Sequence, residues 1–371
     1  MKKVIINTSN LKKGGAIQVA NSFINECIKF KGFIFHIILS NEVSKSINEN
    51  NFNENFSFYK FNLKPKLYQC FSGRVRELDD IERKIKPDFV ISVFGPSYWI
   101  PKARHLMGYA NPYYIYPESS LFKKIGIIEN WKIKILKLLH IHNMRLSSNS
   151  TIFWVETDDV KIRLGKLLKI STKKIHVISN TYHPVFDLNN VSTFKFLSDD
   201  NKFKFITISA DYPHKNFMIL KKIIPILRLK EIKCSFYITL NSESYRKYNF
   251  SDFSDYIINL GPIKIEDCPL IYSKSDALFL PTLLECFSAS YPEAMKSKIP
   301  ILTSDLSFAK SICRKSALYF DPNNEIDIVE KIIRIISDKQ LRIQLINEGL
   351  KQLHQFDNSK SRAKKLLNVF N

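Results

Sequence analysis

Nowhere in the 371 residues does an apolar run approach the ~20 residues that cross a bilayer. The opening Met1-Lys2-Lys3-Val4-Ile5-Ile6-Asn7 is too briefly apolar for a secretory leader and reads as a first strand. Six cysteines (Cys27, Cys70, Cys234, Cys268, Cys286, Cys313) are scattered without a C-x-x-C pair, the pattern of reduced thiols in a cytoplasmic protein. No G-x-G-x-x-G fingerprint is present, which counts against a dehydrogenase. Nor is there an RNP-like aromatic motif, zinc-finger spacing or helix-turn-helix signature, so no nucleic acid is expected as a partner. Short-period repeats and low-complexity tracts are missing too. The Asp158-Asp159 and Asp199-Asp200 pairs fall on a helix start and a linker, and no metal-ligand cluster is visible.

What is there describes a folded protein. At 45% hydrophobic and 13% aromatic residues the chain can fill real cores, and its length suits two domains of roughly 150–200 residues each. Fifty-six basic residues against 35 acidic ones give a net charge of +21. Residues 1–185 carry 29 basic and 14 acidic residues, and residues 186–371 carry 27 and 21. Two readings of that imbalance stand side by side. The first half faces something anionic (a lipid headgroup, a phosphorylated acceptor or a nucleic acid), or the Lys-, Asn- and Ile-rich usage reflects genomic base composition.

Short β-branched runs alternate with helical patterns along the whole chain. The first half predicts strands at 4–8, 34–39, 56–61, 89–93, 105–109, 151–155 and 175–178, with helices at 16–30, 75–85 and 160–169 between them. The second half restarts at 203–209, 235–239, 256–260, 277–280, 299–302 and 317–320, with helices at 217–229, 265–273, 290–297, 325–337 and 339–355. This is the rhythm of parallel sheets covered by helices. The expected organisation is a Rossmann-like domain at 1–186, a polar linker at 187–202 and a second such domain at 203–355. A terminal helix in 356–371 is expected to cross back toward the first domain. Ligands should sit at the C-terminal ends of the strands, between two doubly wound α/β domains that face each other across a cleft.

The most informative segment is Phe279-Leu280-Pro281-Thr282-Leu283-Leu284-Glu285-Cys286-Phe287-Ser288-Ala289-Ser290-Tyr291-Pro292-Glu293-Ala294-Met295. Pro292 is tolerable only in the first turn of a helix, where its missing N–H has no partner to lose, so the helix begins near Ser288–Ser290. Glu285 is then in a loop and Glu293 at the start of the helix body. The amides of Ser288, Ala289 and Ser290 make an anion site suited to a pyrophosphate. Alone, either glutamate reads as a cap or a solvated face. Two carboxylates beside an anion site instead call for neutral hydroxyls, which sugar rings and ribose supply.

Glu285-x7-Glu293, after DALFLPT and before AMKSKIPILTSD, resembles the E-x7-E signature of glycosyltransferase family 4 and related retaining enzymes of the GT-B fold. The resemblance covers residues 150–355 well and the first half loosely. It implies that Glu285 contacts the hydroxyls of a donor sugar and Glu293 those of the ribose. Ser288 stands where the family commonly has glycine. In Ser209-Ala210-Asp211-Tyr212-Pro213-His214-Lys215-Asn216, Lys215 matches the lysine that grips the pyrophosphate, while Ser209 or Ala210 replaces the family's arginine. That leaves Lys215 and helix N-termini as the phosphate clamp, with His214 a further candidate. Lys215 and Glu285 are thus the candidate catalytic pair. Glu293, Ser288, Ala289, Ser290 and Lys215, together with Gly14, Gly15 and Gly261, are the candidate donor-binding set.

Leu11-Lys12-Lys13-Gly14-Gly15-Ala16 resembles the glycine-rich loop of GT-B transferases that closes over the donor, although a tight βα turn explains Gly14 and Gly15 almost as well. Leu260-Gly261-Pro262 resembles the loop beneath the nucleobase. The aromatic loop 108–119 lacks the histidine that many family members carry. Its Asn111, Tyr116 and Glu118 are acceptor-side candidates, or tyrosines and neighbours that merely pack the loop. His105 is expected inside a strand. Residues 131–142, apolar with interleaved lysines, read first as an amphipathic helix packed on the sheet and second as an interfacial helix on anionic lipid.

The resemblance implies a metal-independent, retaining hexosyltransferase, without the D-x-D of the other glycosyltransferase fold and with no cofactor beyond the nucleoside-diphosphate sugar it uses as donor. The acceptor would be a glycan or a lipid-linked molecule, in bacterial surface polysaccharide or lipopolysaccharide biosynthesis. The expected location is the cytoplasm, or the inner face of the membrane as a peripheral protein in contact with anionic lipid. A GT-B-shaped sugar-nucleotide epimerase is the alternative enzyme, and a basic nucleic-acid-binding protein the alternative class.

Overall fold

The computed structural model describes residues 1–188, 194 and 201–370. Most of the expected linker and the Asp199-Asp200 pair lie outside the described residues. The chain divides into two compact units. One comprises Met1–Pro117, Gly126–Asn180 and Asp357–Asn371, the other Glu118–Ile125 and Thr181–Phe356. Residues 118–125 therefore cluster with the second unit, although they lie inside the span 1–186.

The first unit holds seven parallel strands: β1 (Lys2–Asn7), β2 (Phe33–Leu39), β3 (Phe56–Lys60), β4 (Phe89–Ser92), β5 (Arg104–Gly108), β6 (Thr151–Val155) and β7 (Ile175–Val177). Their order is β3-β2-β1-β4-β5-β6-β7. The second holds six parallel strands: β8 (Phe203–Thr207), β9 (Cys234–Ile238), β10 (Ile257–Asn259), β11 (Ala277–Leu280), β12 (Ile301–Ser304) and β13 (Ala317–Phe320). Their order is β10-β9-β8-β11-β12-β13. Both sheets are doubly wound α/β sheets, as the alternation of short apolar runs and helical patterns predicts. Strands such as Phe89–Ser92 and Ala277–Leu280 are buried along their whole length, because helices cover both faces.

Each order reverses at its first strand, between β1 and β4 and between β8 and β11. In such sheets the crevice for a ligand opens at the carboxyl ends of the two strands that flank the reversal. The loop carrying Gly14 and Gly15 follows β1, and Asn10 anchors it by donating to the carbonyls of Phe94 (2.7 Å) and Pro96 (2.9 Å) after β4. The loops carrying Lys215 and Glu285 follow β8 and β11.

Residues 357–370 return to the first unit. The helix Ser359–Asn368 lays Ala363, Leu366 and Leu367 against Val19, Phe23 and Ile24 of the helix Gly15–Cys27. The Asp357 carboxylate accepts the Ser179 amide (3.2 Å), and the Asp357 amide donates to the Ser179 hydroxyl (2.7 Å). Buried Arg362 reaches Asn180 and the Ser22 hydroxyl, the latter at 3.0 Å.

His105 lies in β5 between the hydroxyls of Ser92 (2.9 Å) and Thr151 (3.1 Å), and burial lowers its pKa to about 3. It is a core histidine. All six cysteines are buried. No helix among the described residues is long and apolar enough to cross a membrane.

Candidate functional site

The second unit builds its site from two loops at the β8–β11 reversal. The loop after β8 closes in a single 3-10 turn, Pro213–Lys215, with proline in its first position. Asn216 ends the turn in the left-handed region (φ 58°), which asparagine tolerates better than most residues. Upstream, the Tyr248 hydroxyl donates to Asp211 (2.5 Å), and the Ser209 amide donates to the Thr239 hydroxyl (3.0 Å). The loop is held along its length.

The second loop is stitched to the first through the backbone of His214. Its carbonyl accepts the Leu283 amide (2.7 Å) and the Thr282 hydroxyl (3.1 Å). Those bonds bring together two side chains seventy residues apart in sequence. The Lys215 ammonium lies 2.5 Å from Glu285 Oε1, both side chains being about nine-tenths buried. Thr282 Oγ1 lies 3.1 Å from the same oxygen. Both contacts fall on Oε1, and no bond to Oε2 is made among the described residues.

Beside this pair, His214 stacks on Tyr212 with ring planes 10° apart. Burial lowers its pKa to about 4, with Lys215 adding to the effect and Glu285 opposing it. The ring is neutral at physiological pH, so of His214 and Lys215 only the lysine offers a fixed cation.

After Glu285 the chain runs through Ser288 and Ala289 into the short helix Ser290–Lys296, where the position of Pro292 predicts it. Its ladder opens with the Tyr291 amide on the Ser288 carbonyl (3.2 Å) and the Glu293 amide on the Ala289 carbonyl (3.0 Å). The amides of Ser288, Ala289 and Ser290 precede those bonds, as first-turn amides must. Glu293 is buried, and the Tyr272 hydroxyl donates to its Oε2 (3.1 Å). Burial pushes its pKa up to about 7, against the opposing pull of that hydrogen bond. A carboxyl held near neutrality accepts hydroxyl hydrogens strongly once ionised.

The remaining candidates are placed separately. Gly261 follows β10, at the sheet edge away from β11, with φ 73° and open space where a Cβ would point. Gly14 has φ 75° and caps the helix Gly15–Cys27, and a Cβ at Gly15 would also meet nothing within 4 Å. Asn111 caps the turn Pro112–Ile115 by accepting the Tyr113 amide (3.1 Å). Tyr116 is buried, its hydroxyl donating to Asp159 (2.7 Å) and its ring under the Arg163 guanidinium, 4.3 Å from the ring centre. Glu118 is exposed and lies in the second unit.

Several site residues carry no motif of their own. Thr282 and Tyr272 buttress the two glutamates. Ser119 donates to the Leu283 carbonyl (2.9 Å) and Lys124 to Asn216 Oδ1 (3.1 Å), so segment 118–125 braces both loops. A tyrosine or threonine becomes legible as a buttress only once the strand order is known.

Residues 190–352 match the family model described as glycosyl transferases group 1. That stretch, which is similar to the family, carries Lys215, Glu285 and Glu293. Among curated proteins, the O-antigen chain mannosyltransferase RfbU of Salmonella typhimurium (strain LT2) is 25% identical over 174 residues, 45% of this chain and 45% of that protein. The match thus spans less than half the length of that relative. Among solved structures, a glycosyltransferase from Rickettsia africae ESF-5 superposes with a TM-score of 0.73 at 15% identity, covering 99% of this chain and 97% of that one. HepE of Anabaena, in complex with UDP-glucose, gives 0.70 at 12% identity, covering 100% and 99%. The likeness across the whole chain assigns the GT-B fold.

Proposed function

We propose that the chain is a retaining glycosyltransferase that moves a sugar from a nucleoside-diphosphate sugar to a glycan or lipid-linked acceptor in the assembly of a bacterial surface polysaccharide or lipopolysaccharide. The observation that carries it is the Lys215–Glu285 pair at the β8–β11 reversal, followed by Glu293 on Tyr272 at the start of the next helix. The family match over the same residues supports it, as do the O-antigen mannosyltransferase relative and a structural neighbour holding UDP-glucose.

In this reading the ribose hydroxyls donate to ionised Glu293, and a sugar hydroxyl donates to Glu285 Oε2, the oxygen that Lys215 and Thr282 leave open. The diphosphate rests on the amides of Ser288, Ala289 and Ser290 and draws the Lys215 ammonium toward it. The bond from the anomeric carbon to the diphosphate oxygen breaks, and the bond to the acceptor oxygen forms on the same face. The departing phosphate oxygen takes the electron pair and then the acceptor's proton. Lys215 stabilises charge that grows as that oxygen leaves, where a fixed cation contributes most. No metal is needed in this scheme. The first unit is assigned the choice of acceptor.

The test is a thermal-shift screen against UDP, GDP, ADP and CMP, since a ligand that binds the native state stabilises it by mass action. One nucleoside diphosphate should raise the melting temperature. If none does at millimolar concentration, the donor reading fails. With the matching sugar nucleotide, proton NMR of the product should show the donor's anomeric configuration kept, and inversion would overturn the retaining assignment.

A further inference from the structure

The helix Ile127–Ser147 has two apolar faces, and the fold covers only one. Its buried residues, Ile141, Asn143, Met144 and Ser147, all lie in its last two turns, and no residue from 127 to 140 is buried. Ile127, Ile128, Trp131, Ile135 and Leu138 are 54–78% exposed. At about 100° per residue these five fall within a single arc of about 100°, on the side opposite Met144 and Ser147. Lys132 and Lys134 flank that arc, one on each side, and the Lys134 ammonium lies 5.2 Å over the Trp131 ring. The neighbouring helix Leu67–Ser72 places its exposed Phe71 ring 5.0 Å from His142 of this helix.

So large an apolar stripe is not left in water without a reason. A second copy of the chain is a poor occupant, because Lys132, Lys134 and Lys137 would meet their own images with only Glu129 in the helix to offset them. Charge complementarity points instead to an anionic surface. Lysines that border an apolar arc keep their ammonium groups at headgroup level while their stems lie along the stripe, and an indole prefers that same boundary. We propose that this stripe docks the first unit on an anionic lipid bilayer, with the helix lying in the interface plane. Each lysine adds attraction to the negative leaflet, which salt weakens.

The binding can be read without donor or acceptor, so it stands or falls apart from the transfer reaction. Of the three tryptophans, Trp99 and Trp154 are buried and only Trp131 is exposed, so a change in emission on binding reports this helix. Full-length protein should co-sediment with vesicles of phosphatidylglycerol and phosphatidylcholine, with a blue-shifted tryptophan emission, and should stay in solution with phosphatidylcholine alone. Lys132→Glu/Lys134→Glu should cut binding at least tenfold. Ile135→Ser/Leu138→Ser should cut it similarly and, the residues being exposed, leave the melting temperature unchanged. Equal partitioning into neutral and anionic vesicles, binding unchanged in both variants, or a dimer in sedimentation that the same variants dissolve would each overturn the proposal.

Discussion

A buried carboxylate that loses its cation is left with a charge it can neither hydrate nor pair. For Lys215→Ala that cost is about 3–5 kcal/mol, enough to lower the melting temperature as well as turnover. The double variant Lys215→Met/Glu285→Gln removes both charges and should restore most of the stability while transfer stays lost. Recovery of activity along with stability would make the pair a structural brace rather than part of the reaction. In the proposed reading the two glutamates have different roles. Glu293→Ala should weaken binding of the bare nucleoside diphosphate by about 10- to 150-fold, the loss of one charge-assisted hydrogen bond of roughly 1.5–3 kcal/mol. Glu285→Ala should bind it nearly normally yet fail to transfer, and equal affinities by calorimetry would refute the division. Because Glu293 titrates near 7 when folded and near 4.5 otherwise, its protonated form favours the folded state. Its contribution is complete below pH 4.5 and fades as pH rises through 7, by on the order of 3 kcal/mol. The proposed nucleotide binding runs the other way, because a ribose held by Glu293 would need the carboxylate, so affinity should rise between pH 6 and 8. The diphosphate titrates in that range too, so Glu293→Gln measured alongside is the reference. An identical pH slope in both proteins would remove Glu293 from the ribose.

Strands and long helices were legible because each repeats its signal over several residues. Thr151–Val155, Ala277–Leu280, Ala317–Phe320 and Glu325–Ser337 fall where their apolar spacing puts them. Short helices without a marker such as Pro292 were less so. Leu67–Ser72, Ser242–Tyr248 and Ser307–Cys313 span two turns or fewer, too little for a period of 3.6 to show. The site was half legible in the same sense. The nine residues from Glu285 to Glu293 are local and show themselves, whereas the meeting of Lys215 with Glu285, and of Glu293 with Tyr272, depends on the β8–β11 reversal and on helix packing. The helix Ser359–Asn368 reads as an element from the sequence, but the contacts it makes in the first unit's core are ones that no local pattern encodes. Leu366 is buried there among Val19, Phe23 and Ile24. Leu366→Ala should therefore cost about 2–5 kcal/mol, seen as a lower melting temperature of the first unit, and a cost under 1 kcal/mol would mean that the helix is a loose appendage.

Each unit has a core of its own, and all three tryptophans lie in the first. Tryptophan emission is thus a gauge of that unit alone, while calorimetry sees both. If the nucleotide is held by residues of the second unit, adding it should move the calorimetric transition of that unit well above any change in the tryptophan-monitored midpoint. Equal shifts in the two readouts would place the bound nucleotide's stabilising contacts in both units. The return of residues 357–370 to the helix Gly15–Cys27 also sets an order on biosynthesis. A nascent chain emerges N-terminus first, and a contiguous domain can fold as soon as it clears the ribosome. Here the second unit, translated later, has all its strands available while Ala363, Leu366 and Leu367 are still inside the exit tunnel. The unit begun first is completed last, so its apolar face at Val19, Phe23 and Ile24 stays open through the translation of some three hundred residues, a long interval during which a chaperone has something to hold.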